Sequence, residues 1–347
     1  MGNIPSSDTR IKFSIGCEQS DTPEGLMVCQ MSLAFDTERE LLYVCDCGNH
    51  QVQVFSSKDG SFVSSIAGRG DTHRILRAPV ALAIDHEHGR IFVTEQHRLQ
   101  VISLEDHSLL TDVERRSAPE LLIWDPRGIA IDKHHRRIII SDTDNHRLVF
   151  LSLVDLSFLF ATAQHRGVAP GVLNAPTGVA IDHDRHRIIV TDSENHRVQV
   201  LSSIDGSFLF EFGSKGDQPG QLNNPQGLCI ANQGRIIVAD YYNRRLQSFT
   251  HEGHHISSFQ HDSTCLGVAF DEHRGLIAFT TSKRVHVIGA NQWLPNTFTW
   301  RPDRHRYAPS WIKQAVSTMT MIRSVVDDSA SISMIPNELL FEIFSFL

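Results

Sequence analysis

Histidine is heavily used in this chain, 20 residues in 347, and many of the histidines stand beside carboxylates. Imidazole nitrogens bind divalent metals at about 2 Å and titrate near neutral pH, so metal ligation and pH sensing both require such residues to gather at one point. Three clusters are densest: His86-Glu87-His88, His134-His135 and His183-Asp184-Arg185-His186. A second pattern is Asp-x-x-Asn-His, at Asp46 to His50, Asp142 to His146 and Asp192 to His196, with Asp240 to Arg244 as a variant. In Cys45-Asp46-Cys47 two thiols fall on one side of a strand, as two metal ligands would. Finally, Asp36, Asp85, Asp132, Asp182 and Asp271 recur singly and would hold a cation if they converged.

Whether these groups meet depends on the elements that carry them, and those elements repeat. Ser32 to Asp36, Val80 to Asp85, Arg127 to Asp132, Thr177 to Asp182, Gln226 to Ala231 and Leu266 to Asp271 are six copies of one strand, about 40 to 50 residues apart. Polar turn residues and a second apolar strand follow each copy, as in Ile138 to Ser141 and Ile188 to Thr191. Next comes the Asp-x-x-Asn-His turn, whose Asp and Asn suit tight backbone and, for Asn, the left-handed conformation. A third strand such as Arg197-Val198-Gln199-Val200-Leu201 then leads through Asp-Gly-Ser-Phe to a fourth. This period predicts an all-β fold, a six-bladed β-propeller of four-stranded blades. The sixth copy lacks an outer strand and the N-terminus offers a spare one, Ile11 to Gly16, so the N-terminal strand is expected to complete blade six and close the ring.

The topology sorts the chemistry. The three histidine clusters occupy first-to-second strand turns, one blade apart, and are expected to be solvated and too distant for shared ligation. Cys45 aligns with Ser141, Thr191 and Ala239, all small, which favours packing. The isolated Asp residues are placed to cap hairpins. The innermost strands begin Gly128-Ile129, Gly178-Val179, Gly227-Leu228 and Gly267-Val268 and offer no histidine or carboxylate before their far ends, so no catalytic residue, metal or cofactor is expected. The Asn-His turns share a face with the loops leading into each blade. The candidate partner-binding residues there are Arg127, His146, Arg147, His196, Arg197, Gln226, Tyr241, Tyr242 and Arg244. Tyr241, Tyr242 and Arg244 stand out because a tight turn does not require them.

Asn145-His146-Arg147-Leu148, Asn195-His196-Arg197-Val198 and the leading loops Asn174 to Gly178 and Asn223 to Gly227 resemble the NHL repeat family over residues 11–290. The resemblance implies a binding platform and not an enzyme, with a protein partner on the loop-rich face. Some NHL propellers of ubiquitin-ligase families bind single-stranded RNA there, which needs basic and aromatic surface; Arg127, Arg147, Arg197, Arg244 and Arg245 with Tyr241 and Tyr242 would supply it, against a net charge of -8. Related propellers also include metal-dependent lyases and lactonases that work in the central channel.

Residues 1–10 read as a flexible N-terminus. Met1-Gly2-Asn3-Ile4-Pro5-Ser6 fits the minimal myristoylation pattern, but one acyl chain binds membranes only marginally and no second signal accompanies it. With no apolar run of membrane-spanning length and no secretory signal, a cytoplasmic protein with free thiols is expected and membrane association is not. Residues 291–333 break the repeat and contain a helix candidate, Trp311 to Val326, before a polar linker. In residues 334–347, Pro336 suits a helix start and Leu339, Leu340, Ile343, Phe344 and Leu347 form one apolar stripe. This segment resembles the opening helix of an F-box, which implies docking to a cullin-ring ubiquitin-ligase adaptor.

Overall fold

In a computed structural model of the chain, residues 11–16, 27, 30–66, 76–114, 123–162 and 165–294 are described. They form six four-stranded antiparallel sheets. From the inside outward, blade one is Gln30–Asp36, Leu41–Asp46, Gln51–Ser56 and Phe62–Ile66; blade two is Ala81–Asp85, Arg90–Glu95, Arg98–Ser103 and Leu109–Glu114. Blade three is Pro126–Asp132, Arg137–Asp142, Arg147–Ser152 and Phe158–Ala161; blade four is Pro176–Asp182, Arg187–Asp192, Arg197–Ser202 and Phe208–Phe212. Blade five is Pro225–Ala231, Arg235–Asp240, Arg245–Phe249 and His255–Gln260. Blade six is Cys265–Asp271, Leu276–Thr281 and Val285–Gly289, with Ile11–Ile15 as its outer strand.

Innermost strands of successive blades touch in order, and that of blade six touches that of blade one, so the sheets close into a ring. The closing strand pairs as expected: Ile11 lies opposite Ile288, Phe13 opposite Val287, Ser14 opposite His286 and Ile15 opposite Val285. It also reaches blade one, because Phe13 packs over Gly60, where a Cβ would lie 2.7 Å from the phenyl ring. The same phenyl-over-glycine contact joins Phe212 of blade four to Gly253 of blade five, which explains why that turn carries glycine.

Apolar side chains from facing blades form a cluster in each gap. Phe92, Leu99 and Val101 meet Ile129, Ile138 and Val149 between blades two and three. A sheet covered on both faces needs no polar alternation, hence runs such as Ile138-Ile139-Ile140. Near the axis the blades approach backbone to backbone. A Cβ at Gly178, Gly227 or Gly267 would sit 2.6 Å from the carbonyl oxygen of Gln226, Leu266 or Met31 in the next blade. At these three contacts only glycine fits, while Ser32 and Ala81 hold the same register in blades one and two. Hydroxyls at the ends of second strands then latch blade to blade: Thr94 Oγ1 donates to Pro126 O (3.1 Å), Ser141 Oγ to Thr177 O, Thr191 Oγ1 to Gln226 O (2.6 Å) and Thr280 Oγ1 to Met31 O (3.3 Å). Cys45 and Ala239 occupy this register in blades one and five.

Among the described residues no helix is long and apolar enough to cross a membrane. The Gly2 pattern, the helix candidate Trp311 to Val326 and the F-box-like residues Pro336, Leu339, Leu340, Ile343 and Phe344 lie outside the described residues.

Candidate partner-binding face

Each Asp-x-x-Asn-His turn is organised by its carboxylate. Asp192 is fully buried at the end of its strand. Its Oδ1 accepts the Asn174 amide of the leading loop at 2.6 Å, and its Oδ2 accepts Asn195 Nδ2 (2.8 Å), Arg197 Nε (2.7 Å) and Gln199 Nε2 (2.9 Å). Asp240 repeats the set with Asn223 N (2.7 Å), Asn243 Nδ2 (2.8 Å), Arg245 Nε (2.7 Å) and Gln247 Nε2 (3.0 Å). Asp142 takes the Trp124 amide, Asn145 and Arg147. Burial pushes the Asp142 carboxyl up, opposed by those same hydrogen bonds. Blade two has a turn two residues shorter, Glu95-Gln96-His97-Arg98, and one extra methylene makes up the distance: Glu95 accepts the Arg77 amide (3.0 Å) and Arg98 Nε. These bonds tie each leading loop to the following turn, placing both on one face.

The left-handed residue of the turn is the histidine and not the asparagine, with φ of 59° at His50, 56° at His146, 55° at His196 and 53° at Arg244 in the variant. Asparagine is retained because its amide closes onto the carboxylate. In that conformation the imidazole reaches the next blade, where Nδ1 of His50, His146 and His196 accepts the amide of Ala78 (2.9 Å), Ala175 (3.0 Å) and Asn224 (3.0 Å). An amide can only donate, so these rings carry their proton on Nε2. Burial lowers the His196 pKa.

The nine residues expected on this face therefore divide. Arg147 and Arg197, each 7% exposed, lie beneath it against Asp142 and Asp192, because in the hairpin register each Arg stands directly opposite its Asp. Arg197 also donates to the carbonyls of Val168, Ala169 and Val172 and pairs with Glu211. His146 and His196 have one ring nitrogen committed to the scaffold. Gln226 is nearly buried at the channel mouth and donates to Asn224 Oδ1 at 2.6 Å. Arg127, Tyr241, Tyr242 and Arg244 remain accessible to different degrees: Arg127 is exposed beside Asp125 (2.7 Å), Arg244 is exposed, and Tyr242, 61% exposed, stands edge-on to Tyr241 with centroids 4.9 Å apart.

A further aromatic pair lies there. Trp124 is 37% exposed and stands edge-on to the exposed His97 at 4.8 Å. Its signal was in the sequence: Trp124 holds the register of Asn174 and Asn223, where the turn carboxylate takes the backbone amide whatever the side chain. Arg77 holds the same register in blade two and is exposed.

A channel of about 440 Å³ runs down the axis, lined by apolar residues such as Leu33, Ile129 and Val179, with Arg127, Thr177 and Gln226 among its lining and His86 and His183 past the far ends of the innermost strands. The histidine clusters are closer together than one blade of separation suggested: the His134 ring lies 5.1 Å from His183 and 5.6 Å from His186. The blades converge toward the axis, where these turns begin. Among the described residues no three His, Cys, Asp or Glu side chains are placed to hold a metal ion. The isolated carboxylates cap hairpins, Asp36 through the amides of Glu38 and Arg39, Asp182 through that of Arg185 and Asp271 through those of His273 and Arg274. Burial raises the Cys45 thiol well above its ordinary pKa.

Residues 32–55, 173–201 and 222–249, within blades one, four and five, match the NHL repeat. A stretch of 46 residues is 46% identical to Protein lin-41 of Caenorhabditis elegans, covering 13% of this chain and 4% of that protein. Over 43 residues the chain is 46% identical to human E3 ubiquitin-protein ligase TRIM32, covering 12% of the chain and 7% of the ligase. The chain thus spans only a small part of either relative. Among solved structures it resembles a luciferin-regenerating enzyme (TM-score 0.58, 13% identity, 75% of this chain and 90% of that one). It also resembles a chain of a nidogen/laminin complex (0.55, 17%, 73% and 86%) and a catalytically inactive virginiamycin B lyase from Staphylococcus aureus (0.53, 11%, 78% and 83%). At these identities the likeness is one of fold.

Proposed function

We propose that this protein is a non-catalytic interaction scaffold that holds a protein partner on the face of leading loops and second-to-third strand turns, and that it acts as a substrate-recognition component of a ubiquitin ligase. One observation carries the first part. On a face whose Asp, Asn and His residues are consumed in building the turns, Trp124, Tyr242, Arg127 and Arg244 stay exposed although a tight turn does not require their size or charge. Aromatics and arginine are the residues in which binding energy concentrates at protein interfaces. The ligase role draws support from the short similarity to TRIM32 and from the F-box-like segment at Pro336, Leu339, Leu340, Ile343 and Phe344, which would dock the adaptor.

Affinity capture with the whole chain, a chain ending at Val326 and a Trp124→Ala/Tyr242→Ala double variant tests both parts. Loss of ligase components on truncation, with other partners kept, supports the ligase role, and no change discards it. A partner set unaltered by the double variant discards the face.

Single-stranded RNA is the second reading, favoured by the same exposed aromatics, which would stack on bases. Burial of Arg147, Arg197 and Arg245 against Asp142, Asp192 and Asp240 removes three of the five cations it relied on. Filter binding to RNA pools decides it, since absence of affinity at low salt eliminates RNA. A metal-dependent enzyme working in the channel is a weaker alternative, because the innermost strands line it with apolar side chains and backbone.

A further inference from the structure

The gap between blades two and three is built differently from the gap after blade three. In blade three, Phe160 of the outer strand stacks on Phe150 with centroids 4.1 Å apart, and the Arg137 guanidinium lies over both rings at 5.7 and 5.2 Å. In blade four, Arg187 lies over Phe210 at 5.2 Å. The outer-strand register places Thr111 opposite Val101 in blade two, as Phe160 stands opposite Phe150 and Phe210 opposite Val200. The outer-strand phenyl ring is therefore absent at this register of blade two, where Arg90 lies instead over the second-strand ring of Phe92 at 5.2 Å, bonded through NH2 to Asp85 and to the Leu153 carbonyl, with its buried Nε unpartnered. Leu156 replaces Gly206 on the facing turn and fills part of the space. What remains is a lateral groove of about 520 Å³, with Val101 and Leu156 in its lining and Leu110 and Val154, 53% and 64% exposed, among its accessible residues. Asp112 and Asp155, both exposed, supply acidic charge at the same place.

We propose that this groove is a second binding site that takes an aromatic side chain of a protein partner, flanked by lysine or arginine. The fold shows what fits. Blades three and four place an outer-strand phenyl ring beside the equivalent arginine; in blade two Arg90 rests on Phe92 while Thr111 leaves the outer-strand position without a ring, and the partner's aromatic side chain would take that position, with the flanking cations meeting Asp112 and Asp155. Exposed Leu110 and Val154 would be covered by the partner's backbone. The site lies on the side of the ring and is independent of the loop face.

The probe is the amidated peptide acetyl-Gly-Lys-Phe-Lys-Gly, titrated against the whole chain by saturation-transfer NMR on the ring protons, beside versions with alanine or glutamate in place of phenylalanine or lysine. Saturable binding is expected, weakened roughly tenfold by either peptide change. Thr111→Phe fills the groove from within and should abolish binding while raising the unfolding temperature. Should that variant misfold, Val154→Glu at an exposed turn position carries the same expectation of lost binding. Equal binding of the phenylalanine and alanine peptides, binding unaffected by the groove variants, or no saturable binding at millimolar peptide overturns the proposal. Binding lost in Tyr242→Ala but kept in Thr111→Phe would also overturn it, because it puts the peptide on the loop face.

Discussion

If the turn carboxylates are structural, removing one must cost far more stability than removing an exposed turn carboxylate. Asp192→Ala is the sharpest case. The substitution deletes four hydrogen bonds into a carboxylate with no solvent contact and strips Arg197 of its main counter-charge. Breaking a buried pair from one side costs about 3–5 kcal/mol. Arg197 keeps three carbonyls and Glu211, which puts the loss toward the lower end, about 3 kcal/mol. For a domain of this size that is a fall of roughly 6 °C in unfolding temperature. Urea unfolding followed by circular dichroism measures it, with Asp205→Ala, in an exposed turn, as the control expected to move the midpoint little. Asp192→Ala combined with Arg197→Met should be less destabilising than the two single changes added together, since the uncompensated charge goes with its partner. A loss below about 1 kcal/mol for Asp192→Ala, or strict additivity in the double variant, would refute the view that these carboxylates organise the face.

Three further outcomes are expected. Gly178→Ala brings a Cβ within 2.6 Å of the Gln226 carbonyl and 2.9 Å of the Leu228 amide, so urea unfolding should show a loss of about 1–3 kcal/mol without loss of the β-sheet spectrum. Burial, helped by His261 and Arg284, holds the His286 pKa down to about 4 against an ordinary 6.5. The unfolded chain therefore binds this proton first, and stability present above pH 6.5 should decline as pH falls toward 4, by about 3 kcal/mol from this group. His286→Gln should flatten the urea midpoint over that window. Deleting residues 1–16 bares the edge of Val285–Gly289 and removes Phe13 from Gly60, so light scattering should detect self-association or a broadened, less cooperative melt.

The blades were legible because the strands that build them carry period-two and continuous apolar patterns at a regular spacing, and even the ring closure could be reasoned from an unpaired strand at each end. Arg147 and Arg197, expected on the partner-binding face, are buried instead, and the signal for it lay in the hairpin register that composition hides. Across the hairpin, Asp and the Arg five residues later are register partners, so the guanidinium of a strand's first residue is captured before it can reach solvent. The histidines were not legible. That His146 and His196, and not their asparagines, take the left-handed conformation follows from a hydrogen bond to the next blade, a contact some 28 residues away that no local pattern signals. The near approach of His134 to His183 likewise follows from convergence of the blades on the axis.

The same geometry separates what the repeat must keep from what it may vary. At the leading-loop position the carboxylate needs only a backbone amide, and the side chain there is Arg77, Trp124, Asn174 or Asn223 in successive blades. At the left-handed position blade five carries Arg244 in place of histidine, and the Arg244 side chain is exposed. On the proposed reading, partner specificity on this face lies in side chains that the turn carboxylates do not bond, so Trp124→Ala should leave the urea midpoint close to that of the parent while changing partner capture. A fall in stability comparable to that of Asp192→Ala would instead make Trp124 part of the scaffold and leave the face without its largest anchor.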